Sequence, residues 1–319
     1  MALFGKGGMG IEVGQRVLRA VEVRRAGGSH TARWYKNEPL PAGLVIDSFT
    51  EPNITDVKAF VEALKRLKTS WPGGRRVSVA LPDYTTRVSI LDFDTVPGND
   101  EELERMIRWR LKKVLPFDVD EAALRKQYLG KFTRGERTEH RYLVTIIKAV
   151  ILAQYEQVFR EASLRLPWMD IATFAVWNLF HDQILRKADA KAGLALMNIS
   201  GGKLTVMVFD RSVPHFMRLK DLGKAGDGHE AVIDTTRVLR ELIASLTFYK
   251  ENYADTPVAK VYIAGDIERL EDVADEVRRN SAFEAILLEM GSVVKAHGKA
   301  ADGQVPSAFA AACGAALEF

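Results

Sequence analysis

Residues 10–24 read GIEVGQRVLRAVEVR, and a looser copy, GLALMNISGGKLTVMVFDR, lies far downstream at 193–211. Each reads as a strand, a tight turn and a returning strand. Gly14-Gln15-Arg16 turns the first, with Val17, Ala20, Val21 and Val23 following in alternation and Glu12 two positions before the glycine. Ser200-Gly201-Gly202-Lys203 turns the second, ahead of a strand over 204–209. Two such units separated by most of a chain imply two similar halves that face each other. A tight turn of free backbone N–H groups can hold a phosphate, and two opposed turns can clamp one from both sides. On these residues alone the alternative is a pair of ordinary hairpins, in which glycine serves only the turn geometry.

The chain of 319 residues is long enough for two domains at roughly 150 residues each. With 45 basic and 42 acidic residues the charge is nearly balanced, which gives no overall electrostatic case for nucleic acid. A single cysteine, Cys313, excludes an internal disulfide and a cysteine-rich metal site. No apolar run approaches the roughly 18–20 residues of a membrane span, and MALFGKGGMG lacks the apolar core of a signal peptide. The expectation is a soluble cytoplasmic protein; if it works at a membrane, something else takes it there. The six histidines are scattered without a zinc-ligand spacing, there is no GxSxG elbow, and no carboxylate pair announces acid–base work. No catalytic residue and no metal ligand is assigned. Nucleotide hydrolysis between the halves is the one enzymatic class with sequence support.

In chain order, a third strand at 30–35 precedes a proline-rich turn and a helix over 55–68 with Thr55 as its N-cap. A second unit follows: strands at 77–81 and 86–93, an amphipathic helix over 100–115, strands at 124–131 and 141–148, and a helix over 152–164. The basic end of the helix over 100–115 complements the helix dipole as a solvated face, and it also fits an acidic partner. Residues 168–185 read as helix through Ile171, Phe174, Ala175, Leu179 and Phe180, and 187–191 as a linker. The second half has strands at 213–219, 258–263 and 285–288 and helices over 230–253 and 270–279. The glycine-rich loop 222–229 lacks the Lys-Ser/Thr of a P-loop. A small-residue helix over 306–317 closes the chain. The expected organisation is a first half of 1–74, 164–190 and 306–319, an inserted β-β-α-β-β-α subdomain of 75–163, and a second half of 191–305.

Several stretches resemble the PilM family of actin-like proteins of type IV pilus assembly. The most specific are VSVALPDYTTRVSILDF and ELERMIRWRLKKVLPFDVDEAALRKQYLG; FREASLRLPWMDIATFAVWNLF, LRELIASLTFYKENY and PSAFAAACGAALEF extend the likeness over nearly the whole chain. The resemblance implies an α/β actin-like fold of two ribonuclease-H-like halves around a cleft, with 75–163 as the extra subdomain that PilM and FtsA carry. It also implies ATP with magnesium in the cleft. A groove beside the insert would hold the cytoplasmic tail of the inner-membrane protein PilN, linking it to other platform and motor proteins. Pro116 and Phe117 border that groove or, in the alternative, Phe117 is core of the insert. A GspL-like component of type II secretion remains a second assignment.

Carried over by position, the nucleotide site departs from the family pattern. The first turn is Glu12-Val13-Gly14-Gln15-Arg16, with Arg19 where lysine is usual. The second opens Asn198-Ile199-Ser200, and uncharged Asn198 lacks the charge to organise magnesium. The adenine-side turn is Ala264-Gly265-Asp266, and Thr205 is out of step with the expected threonine. Gly14, Gly201, Gly202 and Lys203 retain phosphate-holding chemistry. Together the changes weigh against catalysis and leave nucleotide weakly bound or lost, although an active ATP switch stays the alternative.

Overall fold

The computed structural model describes residues 8–26, 29–134, 137–186, 192–210, 212–223, 233–253, 257–297 and 304–318. The first hairpin forms as Gly8–Val13 (β1) and Val17–Ala26 (β2), and the chain returns as Ser29–Pro39 (β3). Every residue of β1 is buried, as expected of a strand covered on both faces. Arg76–Leu81 (β4) runs parallel to β1, and Arg165–Ile171 (β8) parallel to β4. Val294–Ala296 (β14) pairs with β3, which completes the order β14-β3-β2-β1-β4-β8.

The second half repeats this plan. Gly193–Ser200 (β9), Lys203–Asp210 (β10) and Val213–Asp221 (β11) are antiparallel neighbours. Val258–Gly265 (β12) lies parallel to β9, and Glu284–Leu287 (β13) parallel to β12. The order β11-β10-β9-β12-β13 therefore matches β3-β2-β1-β4-β8 strand for strand and direction for direction. This is the duplication that the paired hairpins imply.

Helices cover the sheets through single apolar faces. Val57–Lys68 (α1) buries Phe60, Val61, Ala63, Leu64 and Leu67. Its N-cap is Asp56, which accepts from the Ala59 amide at 3.0 Å; Thr55, the expected cap, instead donates its hydroxyl to Gly43 O at 2.8 Å. Ala172–Arg186 (α4) starts later than the spacing predicts, because residues 168–171 are the end of β8. A short 3₁₀ turn and Ala310–Ala316 (α7) follow β14, and α4 and α7 lie between the two sheets in a core shared with Val21, Leu196 and Phe209. Thr235–Tyr253 (α5) and Leu270–Asn280 (α6) cover the second sheet. The linker at 187–191, most of the loop at 222–229 and the expected helix start at 230 lie outside the described residues.

A third sheet stands apart: Thr86–Phe93 (β5), Arg137–Lys148 (β7) and Ala122–Arg134 (β6), in the order β5-β7-β6. Asp100–Leu111 (α2), capped by Asn99, packs Leu103, Ile107 and Leu111 on it and ends short of the expected 115. The strand and helix expected to bracket this insert belong elsewhere. β4 lies inside the first sheet, between β1 and β8, and Ala149–Glu161 (α3) buries Ile151, Tyr155, Val158 and Phe159 in the first-half core.

Candidate functional site

The two hairpin turns meet across a narrow cleft between the halves. Gly201 (φ 57°) and Gly202 (φ 74°) both take left-handed backbone, the two-residue hairpin turn that glycine serves without strain. Between the turns, Glu12, Gly14, Gln15, Asp83, Ser200 and Lys203 surround about 20 Å³ of space. That is room for about one water molecule.

Side chains from the two halves fill the remainder by pairing with one another. Arg19 on β2 reaches Glu12 Oε2 at 3.3 Å and crosses to Asp266 Oδ2, just past β12, at 3.0 Å. Ser200 Oγ donates to the same Asp266 oxygen at 3.3 Å. A second link is built on Asp83, in the turn after β4. Its carboxylate accepts from the Thr173 amide at 2.9 Å, from the Thr173 hydroxyl, and from Thr205 Oγ1 on β10 at 2.6 Å. Asp83 thereby satisfies the first turn of α4, where an anion is favoured, while binding the opposite half. Asn198 on β9 donates to Thr173 Oγ1 at 3.0 Å. A third link is Lys203, which pairs with Asp221 at 2.7 Å and with Asp47 of the first half.

Burial governs the titration of these groups. Glu12 is 3% exposed, and its carboxyl is pushed up to about 7 because burial outweighs the attraction of Arg19. Burial also raises Asp83 against its three hydrogen bonds, and it pushes Asp170, at the end of β8, up to about 7. Burial alone would lower Lys203, but the carboxylates of Asp221 and Asp47 prevail and raise it.

Of the residues singled out in the sequence, Glu12, Gly14, Gln15, Ser200, Gly201 and Lys203 line the cleft. Asp266 joins them through Arg19, and Gly265 ends the strand that carries it. Asn198 acts through Thr173. Arg16 is exposed, its carbonyl accepting from the Leu40 amide at 2.8 Å, and the Gly202 carbonyl accepts from the Leu222 amide at 3.0 Å; neither residue lines the cleft. The groups missed were Asp47, Asp83, Thr173 and Asp221. An aspartate directly after a strand-ending proline was the available signal for Asp83.

Phe117 occupies a different junction. Its ring packs with the insert core and meets Phe49 of the first half at a centroid distance of 5.2 Å, with Lys148 Nζ 5.5 Å from the ring centre. Pro116 beside it is exposed. No described helix is long and apolar enough to cross a membrane, and no described cluster of His, Cys, Asp and Glu has a metal-holding arrangement.

No curated protein sequence matches the chain. Among solved structures, the PilM-PilN type IV pilus biogenesis complex aligns with a TM-score of 0.80 at 18% identity, covering 98% of each chain. A Bacteroides thetaiotaomicron protein with an actin-like ATPase fold and unknown function aligns at 0.52 with 8% identity, over 92% of this chain and 95% of that one. These likenesses show the actin-like fold, whose members often bind nucleotides. A family model described as type IV pilus assembly protein PilM matches residues 10–233. With most of its length inside that match, the chain belongs to the PilM family of type IV pilus assembly proteins.

Proposed function

We propose that this chain is a non-enzymatic cytoplasmic scaffold of a pilus assembly platform that holds the cytoplasmic tail of a PilN-like inner-membrane protein and links it to other platform or motor proteins. The family match over residues 10–233 carries this reading. The similar solved structure, a complex of PilM with PilN, supports the choice of partner. The tail binds at the seam between insert and first half, bordered by Pro116 and Phe117, where Phe117 meets Phe49. In this assignment the insert is β5, α2, β6 and β7. The first half is β1–β4, α1, α3, β8, α4, β14 and α7, and the second half is β9–β13 with α5 and α6. Calorimetric titration with the N-terminal peptide of a PilN-like protein tests it: Phe117→Ala should weaken binding about tenfold. A peptide that gives no heat with the wild-type chain would remove the reading.

The cleft, on this reading, is a closed joint and not a nucleotide pocket. A magnesium nucleotide does not fit its residues. About 20 Å³ is far below the few hundred that a ligand of that size needs. Lys203 and Arg19, the cations facing the turns, are already committed to carboxylates. Titration with Mg·ATP should therefore show no binding, and micromolar affinity would restore a nucleotide-gated switch.

A further inference from the structure

A second concavity among the described residues is neither the cleft nor the Phe117 seam. It is a groove of about 560 Å³ along the free edge of β5, walled by the C-terminal end of α2 on one side and by β11 and α5 on the other. The five successive residues Arg87–Leu91 line it. Side chains of a strand alternate between faces, so a run of successive residues means that the strand presents its edge to the groove. Among the described residues β5 forms a ladder with β7 alone, and β11 comes close without pairing, which leaves the backbone N–H and C=O groups of the other β5 edge outside any ladder.

The walls add a consistent chemistry. Arg87, Arg110, Lys113 and Arg218 ring the groove, and no carboxylate residue lines it. Among the described residues none of these four forms an ion pair. Arg110 lies over the Phe93 ring at 4.3 Å, Arg218 over Phe248 at 5.1 Å and Lys113 over Trp109 at 5.8 Å, while Arg87 donates to Val114 O at 3.3 Å. Trp109 is 70% exposed, and Val114 and Phe248 are also exposed. Aromatic and arginine side chains around a concave apolar floor are the composition of binding hot spots.

We propose that this groove is a second docking site, which takes an extended, acidic segment of a partner protein as an added strand on β5. Backbone hydrogen bonds to residues 87–91 fix the segment. Its apolar side chains cover Trp109, Val114 and Phe248, and its carboxylates meet the four cations. About five residues, or ~17 Å of strand, match the exposed edge. The groove shares no lining residue with the PilN-tail seam at Pro116, Phe117 and Phe49, and the proposal does not depend on that seam.

The test uses the full chain and a fluorescein-labelled peptide alternating glutamate with leucine and phenylalanine, read by anisotropy. The acidic probe should bind, weaken as salt rises, and slow hydrogen exchange at residues 87–91. Trp109→Ala and Arg218→Glu should each weaken it about tenfold. N-methylating alternate amides of the probe should abolish binding in one register only, an effect that charge attraction alone would not produce. No binding of the acidic probe, equal binding of a lysine-for-glutamate probe or of an oligothymidylate, or indifference to methylation in both registers would overturn the proposal. The PilN-like tail is titrated in parallel. Its binding should survive Trp109→Ala, and joint loss would mean one shared site and overturn the proposal. A tail that fails to bind while the probe binds removes the scaffold reading and leaves this inference standing.

Discussion

The cleft and the β5 groove are both concave and both rich in charge, yet they are built in opposite ways. In the cleft every cation has a carboxylate: Arg19 has Glu12 and Asp266, and Lys203 has Asp47 and Asp221. The space left is about 20 Å³. In the groove the cations rest on aromatic rings and the backbone carbonyls of Asp92 and Val114, no carboxylate residue lines the walls, and about 560 Å³ stays open. A concavity whose charges are internally paired resists an external ligand, because an arriving ligand would have to displace a partner already in place, and losing one partner leaves the other buried and uncompensated. One whose charges lack counter-charges favours an external ligand that brings them. Cleft substitutions should therefore act on stability, and groove substitutions on binding.

The largest expected effect tests whether the cleft is held rigidly from below. A Cβ on Gly314 of α7 would lie 1.8 Å from the Ala175 carbonyl oxygen of α4, a backbone contact that no rotamer relieves. Gly314→Ala should cost ~4 kcal/mol, read as a lowered denaturation midpoint, and should loosen the Asp83 link because α4 carries Thr173. A cost below about 1 kcal/mol would mean that α7 yields easily and that the cleft is not fixed from beneath.

Next comes the pH dependence of the cleft. Glu12 is raised from 4.5 to about 7, so between those values the folded chain keeps a proton there that the unfolded chain releases. Its contribution is complete below pH 4.5 and is lost as pH rises through about 7. A shift of this size amounts to roughly 3 kcal/mol. Glu12→Gln should flatten that part of the stability curve, leaving the similar fall due to Asp170. An unchanged curve would show that Arg19 keeps Glu12 ionised in the fold.

How much of this was legible in the sequence follows from distance along the chain. The hairpins could be read because a two-glycine turn and alternating apolar residues are local signals, and their recurrence revealed the duplication of the sheets. β8 was not legible. RLPWMDI carries Pro167, which is tolerated because β8 is an edge strand, and helical spacing from Ile171 onward masks the strand. β14 is too short, at three residues, to show a period. The residues of the two turns were visible, but the pairs that fill the cleft were not. Arg19 and Asp266 lie 247 positions apart, and Asp83 and Thr205 lie 122 apart. No local pattern announces such pairs. The β5 groove was equally hidden, since its walls come from four elements in two bodies.

A smaller effect separates the cleft's internal pairing from a latent ligand site. Asp83→Ala removes the acceptor for the Thr173 amide and for the Thr173 and Thr205 hydroxyls. It also removes a buried charge whose desolvation is unfavourable, so the net loss should be about 2 kcal/mol. Thermal melts with and without Mg·ATP decide the matter. Nucleotide-dependent stabilisation of this variant would reveal a cleft that is blocked and not rebuilt.

The smallest predicted stability change probes the contrast from the other side. Arg218 is held by the Phe248 ring at 5.1 Å, an exposed contact of about 0.5 kcal/mol, and no carboxylate balances it among the described residues. Arg218→Glu should therefore leave the denaturation midpoint nearly where it was, within about 0.5 kcal/mol of the wild type. The same substitution should remove most affinity for an acidic strand, so one variant carries both readings. If its loss of stability instead matched that of Asp83→Ala, the groove cations would be part of the fold's internal balance, and the distinction between a paired cleft and an unpaired groove would fail.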